Sequence, residues 1–335
     1  MKLQLKYLVS LLLLVAFSFG CSPKDSKDEA KESRNRVFGN EYPGWAIAYS
    51  GYREGDNPQK KIYPTKAEIL EDFNILKQNW KIIRTYGADQ HLIDVLEVIK
   101  EEKIDLKIML GIWLDGEPEY VEDNLTQVKL GIELANKYKD IVVAINVGNE
   151  SQVNWSDHKV PQDRLVSYIN EVKLKVDQPV TTADSWDYWT DLKNSSKVID
   201  AVDFLAVHIY PVWGGIDIDG GMDNTKHIYD SLKAVIPNKE IIITEAGWPT
   251  YTEGELHAPK AGDEVKQNEY FYDLMKWSEA NNIVVFNFEA FDEPWKGTGT
   301  EGHWGLFSES RKSKLVMQKL YPELMPTRPT SPGYK

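Results

Sequence analysis

The sequence predicts a single-domain (β/α)8 TIM barrel, of the α/β class, on three observations. Past residue 40, short apolar runs alternate with amphipathic segments. The apolar runs number eight, spaced roughly 25–45 residues apart, as successive βα units require. Several are apolar throughout rather than alternating, the pattern of parallel strands covered on both faces.

In chain order the strand candidates are "WAIAY" (45–49), "KIIRTY" (81–86), "LKIMLGIW" (106–113), "IVVAINVG" (141–148), "PVTTAD" (179–184), "FLAVHIY" (204–210), "EIIITE" (240–245) and "IVVFNFEAF" (283–291). Between them, "TKAEILEDFNILKQNW" (65–80) places Ile69, Leu70, Phe73, Leu76 and Trp80 on one helical face. "HLIDVLEVIKEEK" (91–103) does the same with Leu92, Val95, Leu96 and Ile99. "PQDRLVSYINEVKLKV" (161–176) opens on a proline, which a first helical turn tolerates, and 264–282 is the longest helical stretch. A doubly wound sheet is the rival, but it usually has fewer strands and often a Gly-rich phosphate loop after the first. Here the first strand leads into "SGYREGDNP", without G-x-G-x-x-G.

Composition bounds the partners. The 335 residues include 11 Trp and 17 Tyr and carry a formal net charge of −13. That charge argues against nucleic acid and against attraction to anionic surfaces, and a neutral substrate fits better. A monomer with no cofactor is expected. The first residues, "MKLQLKYLVSLLLLVAFSFG", have the charged start and short apolar run of a signal peptide (1–20). The one cysteine, Cys21, follows "Ser18-Phe19-Gly20", which resembles a bacterial lipobox. That resemblance implies lipidation of Cys21 and an exported chain anchored to a membrane, at the outer membrane or cell surface of a Gram-negative bacterium. The alternative is an ordinary secretory peptide with an incidental cysteine. Residues 21–36 are charged and lack aromatic side chains, so they read as a disordered tether, and the domain is expected to span 37–335. With its one cysteine at the anchor, the exported domain can form no internal disulfide.

Barrel enzymes place their chemistry at the C-terminal ends of the strands. Those ends supply Tyr49, Arg84, Tyr86, Trp113, Asn149 with Glu150, Tyr210, and Glu245. Strands four and seven lie nearly opposite in a ring of eight, so Glu150 and Glu245 can face each other across the mouth. Two carboxylates flanking one bond are the minimal machinery of glycoside hydrolysis. Trp113, Trp155, Trp186, Trp189, Trp213, Trp248, Trp295 and Trp304 all follow strand ends, where flat aromatic surface suits the apolar faces of sugar rings. Some of these, Trp186 or Trp189 among them, are expected to pin loops instead. No H-x-x-x-H or carboxylate–histidine cluster is visible, so no metal is expected. His208 reads as a satisfied strand-end residue that can also contact substrate. "GGIDIDGGMDN" (214–224) reads as a solvated active-site loop.

The stretches "VGNE", "IIITEAGWPT", "FEAFDEPWK" and "EGHWGLF" resemble glycoside hydrolase family 17, the β-1,3-glucanases and related glucanosyltransferases, over residues 42–320. The resemblance implies a retaining mechanism on laminarin-type β-1,3-glucan, with Glu150 as acid/base and Glu245 as nucleophile. It also implies that Asn149 binds the sugar 2-hydroxyl, that Tyr210 sits beside the nucleophile, and that Tyr86, Glu289 and Lys296 line the site. Trp248 and Trp295 are expected to face sugar rings. The segment "AIAYSGY" is closer to fungal and bacterial members than to plant ones, which puts strict endo action in doubt. Transglycosylation by the same residues and glycan binding without catalysis are the competing readings.

Overall fold

The computed structural model describes residues 37–39, 41–253 and 261–326. The expected signal peptide, Cys21 and the tether lie outside the described residues, as do residues 327–335. Among the described residues no helix is long and apolar enough to cross a membrane.

Eight parallel strands close into a barrel in sequence order. They are β1 (Trp45–Ala48), β2 (Trp80–Arg84), β3 (Lys107–Ile112), β4 (Val142–Asn149), β5 (Val180–Ser185), β6 (Leu205–His208), β7 (Ile241–Ala246) and β8 (Val285–Asn287). The ring shuts where Ala46 and Ile47 of β1 pair with Phe286 and Asn287 of β8. Around it lie α1 (Lys66–Leu76), α2 (Gln90–Glu101), α3 (Val121–Lys137), α4 (Gln162–Lys173), α5 (Trp186–Thr190), α6 (Leu192–Ala201), α7 (Ile218–Val235) and α8 (Glu264–Asn281). The eight expected strands are all present, with ends that differ by one to a few residues.

Local chemistry sets several boundaries. Thr65 and Glu68 form a capping box that starts α1. That helix stops at Leu76, so Trp80 opens β2 rather than closing the helix face, and it packs edge-on against Trp45 at 6.2 Å. The segment 214–224 is not a loop throughout. Asp217 accepts from the Ile218 amide at 2.7 Å and α7 begins there.

Strand side chains divide with period two. Ala46, Ile82, Met109, Ala144, Ala206, Ile242 and Phe286 form one buried layer inside the barrel, against which Val37 and Phe38 pack. Their neighbours Ile47, Ile83, Ile108, Leu110, Ile145, Val207 and Ile243 belong to the larger core shared with the helices. Gly111 is needed for close approach: a β-carbon there would stand 2.3 Å from the Thr85 carbonyl oxygen.

A buried ionic knot ties the C-terminal segment to the barrel. Arg311, 2% exposed, donates from Nε and Nη2 to the two oxygens of fully buried Asp72 at 2.7 and 2.8 Å. Arg53 adds a third contact to Asp72 at 2.9 Å. The Tyr49 hydroxyl also donates to Asp72, at 3.1 Å. Tyr49 is therefore not a substrate contact: it is 1% exposed and packs on Phe73. Its side chain follows the outward phase of Ile47 into the helix layer. Removing one partner of a buried pair leaves the other charged and unpaired, so Arg311→Met should cost about 3–5 kcal/mol in urea denaturation. Asp72→Leu combined with Arg311→Met should cost less than the sum of the single changes.

Candidate active site

Period two carries chemistry upward from the apolar layer. Ile82 and Ala206 face the lumen, so Arg84 and His208, two residues on, face it one level higher. Both are buried, at 0% and 1% exposure. The Arg84 guanidinium donates to Glu245 Oε1 and to Asn149 Oδ1. It also reaches the Tyr86 hydroxyl at 3.2 Å.

Glu245 does not follow simple alternation. Ile243 faces the helix layer, and strict alternation would send Glu245 there too. The pairing of β7 shifts register between Val207 and His208 on one side and between Ile243 and Ala246 on the other. The shift brings Glu245 opposite His208, the re-aiming that a bulge performs. Gly247 then lets the chain pass close to its neighbour: a β-carbon would fall 2.0 Å from the Phe288 carbonyl oxygen. Close approach is what requires glycine there.

At the end of β4, Gly148 (φ +81°) and Glu150 (φ +47°) are both left-handed. The pairing with β5 also shifts, between Asn146 and Asn149. A left-handed conformation costs a residue with a β-carbon about 1–2 kcal/mol, and here it bends the chain so that Glu150 overhangs the mouth. One carboxylate oxygen of Glu150, one of Glu245 and a ring nitrogen of His208 all lie within 4.8 Å of one another.

The two carboxylates have unequal company. Glu245, 4% exposed, accepts from Arg84 and from the Tyr86 hydroxyl (3.0 Å) on Oε1, and from the Tyr210 hydroxyl (2.6 Å) on Oε2. Burial alone would push its carboxyl pKa up. The His208 imidazole, the Arg84 guanidinium and the Tyr210 hydrogen bond outweigh burial and hold it at about 2. Burial and the Glu245 charge push both phenols well up, so Tyr86 and Tyr210 stay protonated donors. Glu150 keeps a more open side chain, 28% exposed, 2.8 Å from His208 Nδ1. His208 Nε2 lies 3.4 Å from Glu245, so one imidazole bridges the pair. Sequence reading missed that role, although His208 shares the phase of Tyr210 in "HIY".

The sequence showed no carboxylate–histidine cluster, yet the fold assembles one from β4, β6 and β7. It makes a poor cation cage, because Arg84 and two phenols already occupy the Glu245 oxygens.

Near the end of β8, Glu289 and Glu293 are 2% and 1% exposed and share one ammonium. Lys296 Nζ stands 3.4 Å from Glu289 and ion-pairs with Glu293. Burial and the Glu293 charge push the Glu289 carboxyl well above its ordinary range, while Lys296 outweighs burial at Glu293 and lowers its carboxyl. Glu293 was not foreseen. Trp295 is half-buried and donates its indole N–H to Glu293 at 3.1 Å. Trp113, also half-buried, packs at 4.6 Å on His158, whose ring meets the Asn149 carbonyl at 2.8 Å.

Two expected contacts are corrected. Trp248 is 1% exposed, donates to the Ala261 carbonyl at 2.8 Å and packs on Tyr270, so it is a loop anchor and not a sugar platform. Arg84 has no exposed surface and holds carboxylate and amide from beneath. Trp189 and Trp304 are buried as well, whereas Trp155, Trp186 and Trp213 are exposed.

The family model of the BtgE/BtgC glycoside hydrolase domain matches residues 46–305. A protein of Aspergillus niger provisionally named glucan endo-1,3-beta-glucosidase btgC is 31% identical over 328 residues, 88% of this chain. The chain spans about half, 46%, of that relative's length. An endo-laminarinase from Formosa Hel1_33_131 superposes with a TM-score of 0.75 at 28% identity, covering 91% of this chain and 94% of its own. An active-site mutant of the Rhizomucor miehei β-1,3-glucanosyltransferase, in complex with laminaritriose, gives a TM-score of 0.69 at 27% identity, covering 82% and 96%. With the family model covering most of the barrel and its mouth, this chain belongs to the BtgE/BtgC glycoside hydrolase domain family.

Proposed function

We propose that the protein cleaves neutral β-1,3-glucan by double displacement with retention, Glu245 acting as nucleophile and Glu150 as acid/base. The observation that carries this reading is the inequality of the two carboxylates. Glu245 is buried, has hydrogen bonds to both oxygens, and is held ionised at about 2. Glu150 is the more exposed and is bonded to an imidazole. Oxygens within 4.8 Å suit the carboxyl separation of about 5–5.5 Å at which a carboxylate attacks directly.

In the first step Glu245 forms a bond to the anomeric carbon as the glycosidic C–O bond breaks and Glu150 gives its proton to the departing oxygen. In the second step water attacks that carbon, Glu150 takes the water's proton, and the ester to Glu245 breaks. Tyr86 and Tyr210 hold Glu245 in line, Asn149 is placed for the 2-hydroxyl, and Trp113 and Trp295 offer ring faces. The acidic chain suits an uncharged polymer. The sequence of residues 1–21 supports export and a lipid anchor at Cys21, where the protein would meet external polysaccharide. Attack by a sugar hydroxyl in place of water is the second reading, favoured by the similarity to the Rhizomucor glucanosyltransferase.

Glu150→Ala should lose laminarin cleavage yet keep near wild-type kcat/KM on an aryl β-laminaribioside with a 2,4-dinitrophenolate leaving group, which departs without a proton. The first product seen by NMR should be the β-anomer; an α-anomer would reject the double displacement. Sizing the products from laminarin separates the two readings, since chains longer than the substrate require transfer.

The ionisation of Glu245 sets a pH dependence. Its folded pKa lies below its ordinary value of 4.5, so the folded state binds fewer protons, and its stabilisation is present above 4.5 and lost as pH falls through about 2. Glu245→Gln should therefore lose less Tm than wild type between pH 4.5 and 2.

A further inference from the structure

We infer that Asp184 is the positioning residue for Glu150: its buried carboxylate anchors the turn after β4 and so fixes where the Glu150 carboxyl points. The inference rests on the acid/base role proposed for Glu150.

Three consecutive residues of β5 grip alternate residues at and just beyond the end of β4. Thr182 Oγ1 donates to the Gly148 carbonyl at 3.3 Å. The Ala183 carbonyl accepts from the Glu150 amide at 2.8 Å. Asp184 Oδ2 accepts from the Gln152 amide at 2.9 Å. Glu150 therefore sits between two rungs, and the outer one is made by an acidic side chain.

That carboxyl is costly. Asp184 is fully buried, and both its oxygens are spent on backbone amides, Oδ1 accepting from Ser185 at 2.9 Å. Among the described residues no ammonium or guanidinium pairs with it. Burial first, and then the nearby Glu150 charge, push its pKa well up. A buried acid without a cation is unfavourable for folding alone. What it supplies is two acceptors on one short side chain, the outer of them clamping a turn whose central residue is left-handed at φ +47°. The turn needs such a clamp, because left-handed Glu150 would otherwise relax toward ordinary backbone. Asparagine is nearly isosteric but offers one acceptor, so either the Gln152 or the Ser185 amide would face an N–H.

General-acid catalysis contributes about 10²–10⁴-fold and depends on placement to about 1 Å. Asp184→Asn should therefore lower kcat/KM on laminarin by about 10-fold or more while changing kcat/KM on the dinitrophenyl laminaribioside by less than about 3-fold. Gln152→Pro removes the donor of the same bond while leaving Asp184 in place, and it should show the same split. Equal losses on both substrates, or no loss on laminarin with either variant, would overturn the inference. Glu150→Ala run in parallel separates the two claims. If it shows the leaving-group split and Asp184→Asn does not, only the role of Asp184 fails. If Glu150→Ala itself shows no split, the acid/base assignment fails and takes this inference with it.

Discussion

The site depends on one interaction, the buried ion pair of Arg84 and Glu245. A guanidinium with no exposed surface cannot stay in a barrel lumen unless its charge is met, and Glu245 meets it. The His208 imidazole and this pair together keep the carboxylate ionised against burial, doing for Glu245 what solvent would do on a surface. The second arm of Arg84 reaches Asn149, which precedes Glu150. One side chain on β2 thereby ties the ends of β4 and β7 together.

Regular strands cannot deliver this arrangement alone. Alternation serves the apolar layer and carries Arg84 and His208 to the mouth, but it points Glu245 the wrong way. The register shifts on both sides of β7 correct the phase, and the shift between β4 and β5 accompanies the left-handed turn at Glu150. The irregularities at the upper ends of β4 and β7 are the ones that aim the two carboxylates, where a particular geometry has to be imposed on a repeating backbone. Asp184 belongs to the same class of device, a side chain that spends burial energy to hold a neighbouring strand's exit.

The fold was legible because its determinants are local and periodic: apolar runs of strand length, amphipathic helices, and their strict alternation. The meeting of Glu150 and Glu245 at the mouth was legible because each ends such a run. What lay beyond the strand ends was harder to read. Tyr49 and Trp248 share the composition of a sugar site, but Asp72 takes the hydroxyl of one and Ala261 the indole N–H of the other, and neither partner is near in sequence. The bridging role of His208, and Glu293 and Asp184 altogether, were passed over. His208 and Asp184 act through a residue tens of positions away or through a backbone amide, and no local pattern marks such a contact, whereas Glu293 has its partners Glu289, Trp295 and Lys296 close by in sequence. His208 is the exception that could have been found, by extending period two one step down from Tyr210.

The mouth collects acids, and the four differ in what answers their charge. Glu245 is answered by Arg84. Glu289 and Glu293 share Lys296, and burial with the Glu293 charge pushes the Glu289 carboxyl toward its neutral form, which limits the charge this trio adds beside Glu245. Glu150 alone among these four acids has neither guanidinium nor ammonium as its partner, but an imidazole that it shares with Glu245. A fixed cation on Glu150 would hold it ionised and remove its capacity to donate. The imidazole instead fixes the orientation of its carboxyl, which the acid/base role proposed for Glu150 requires.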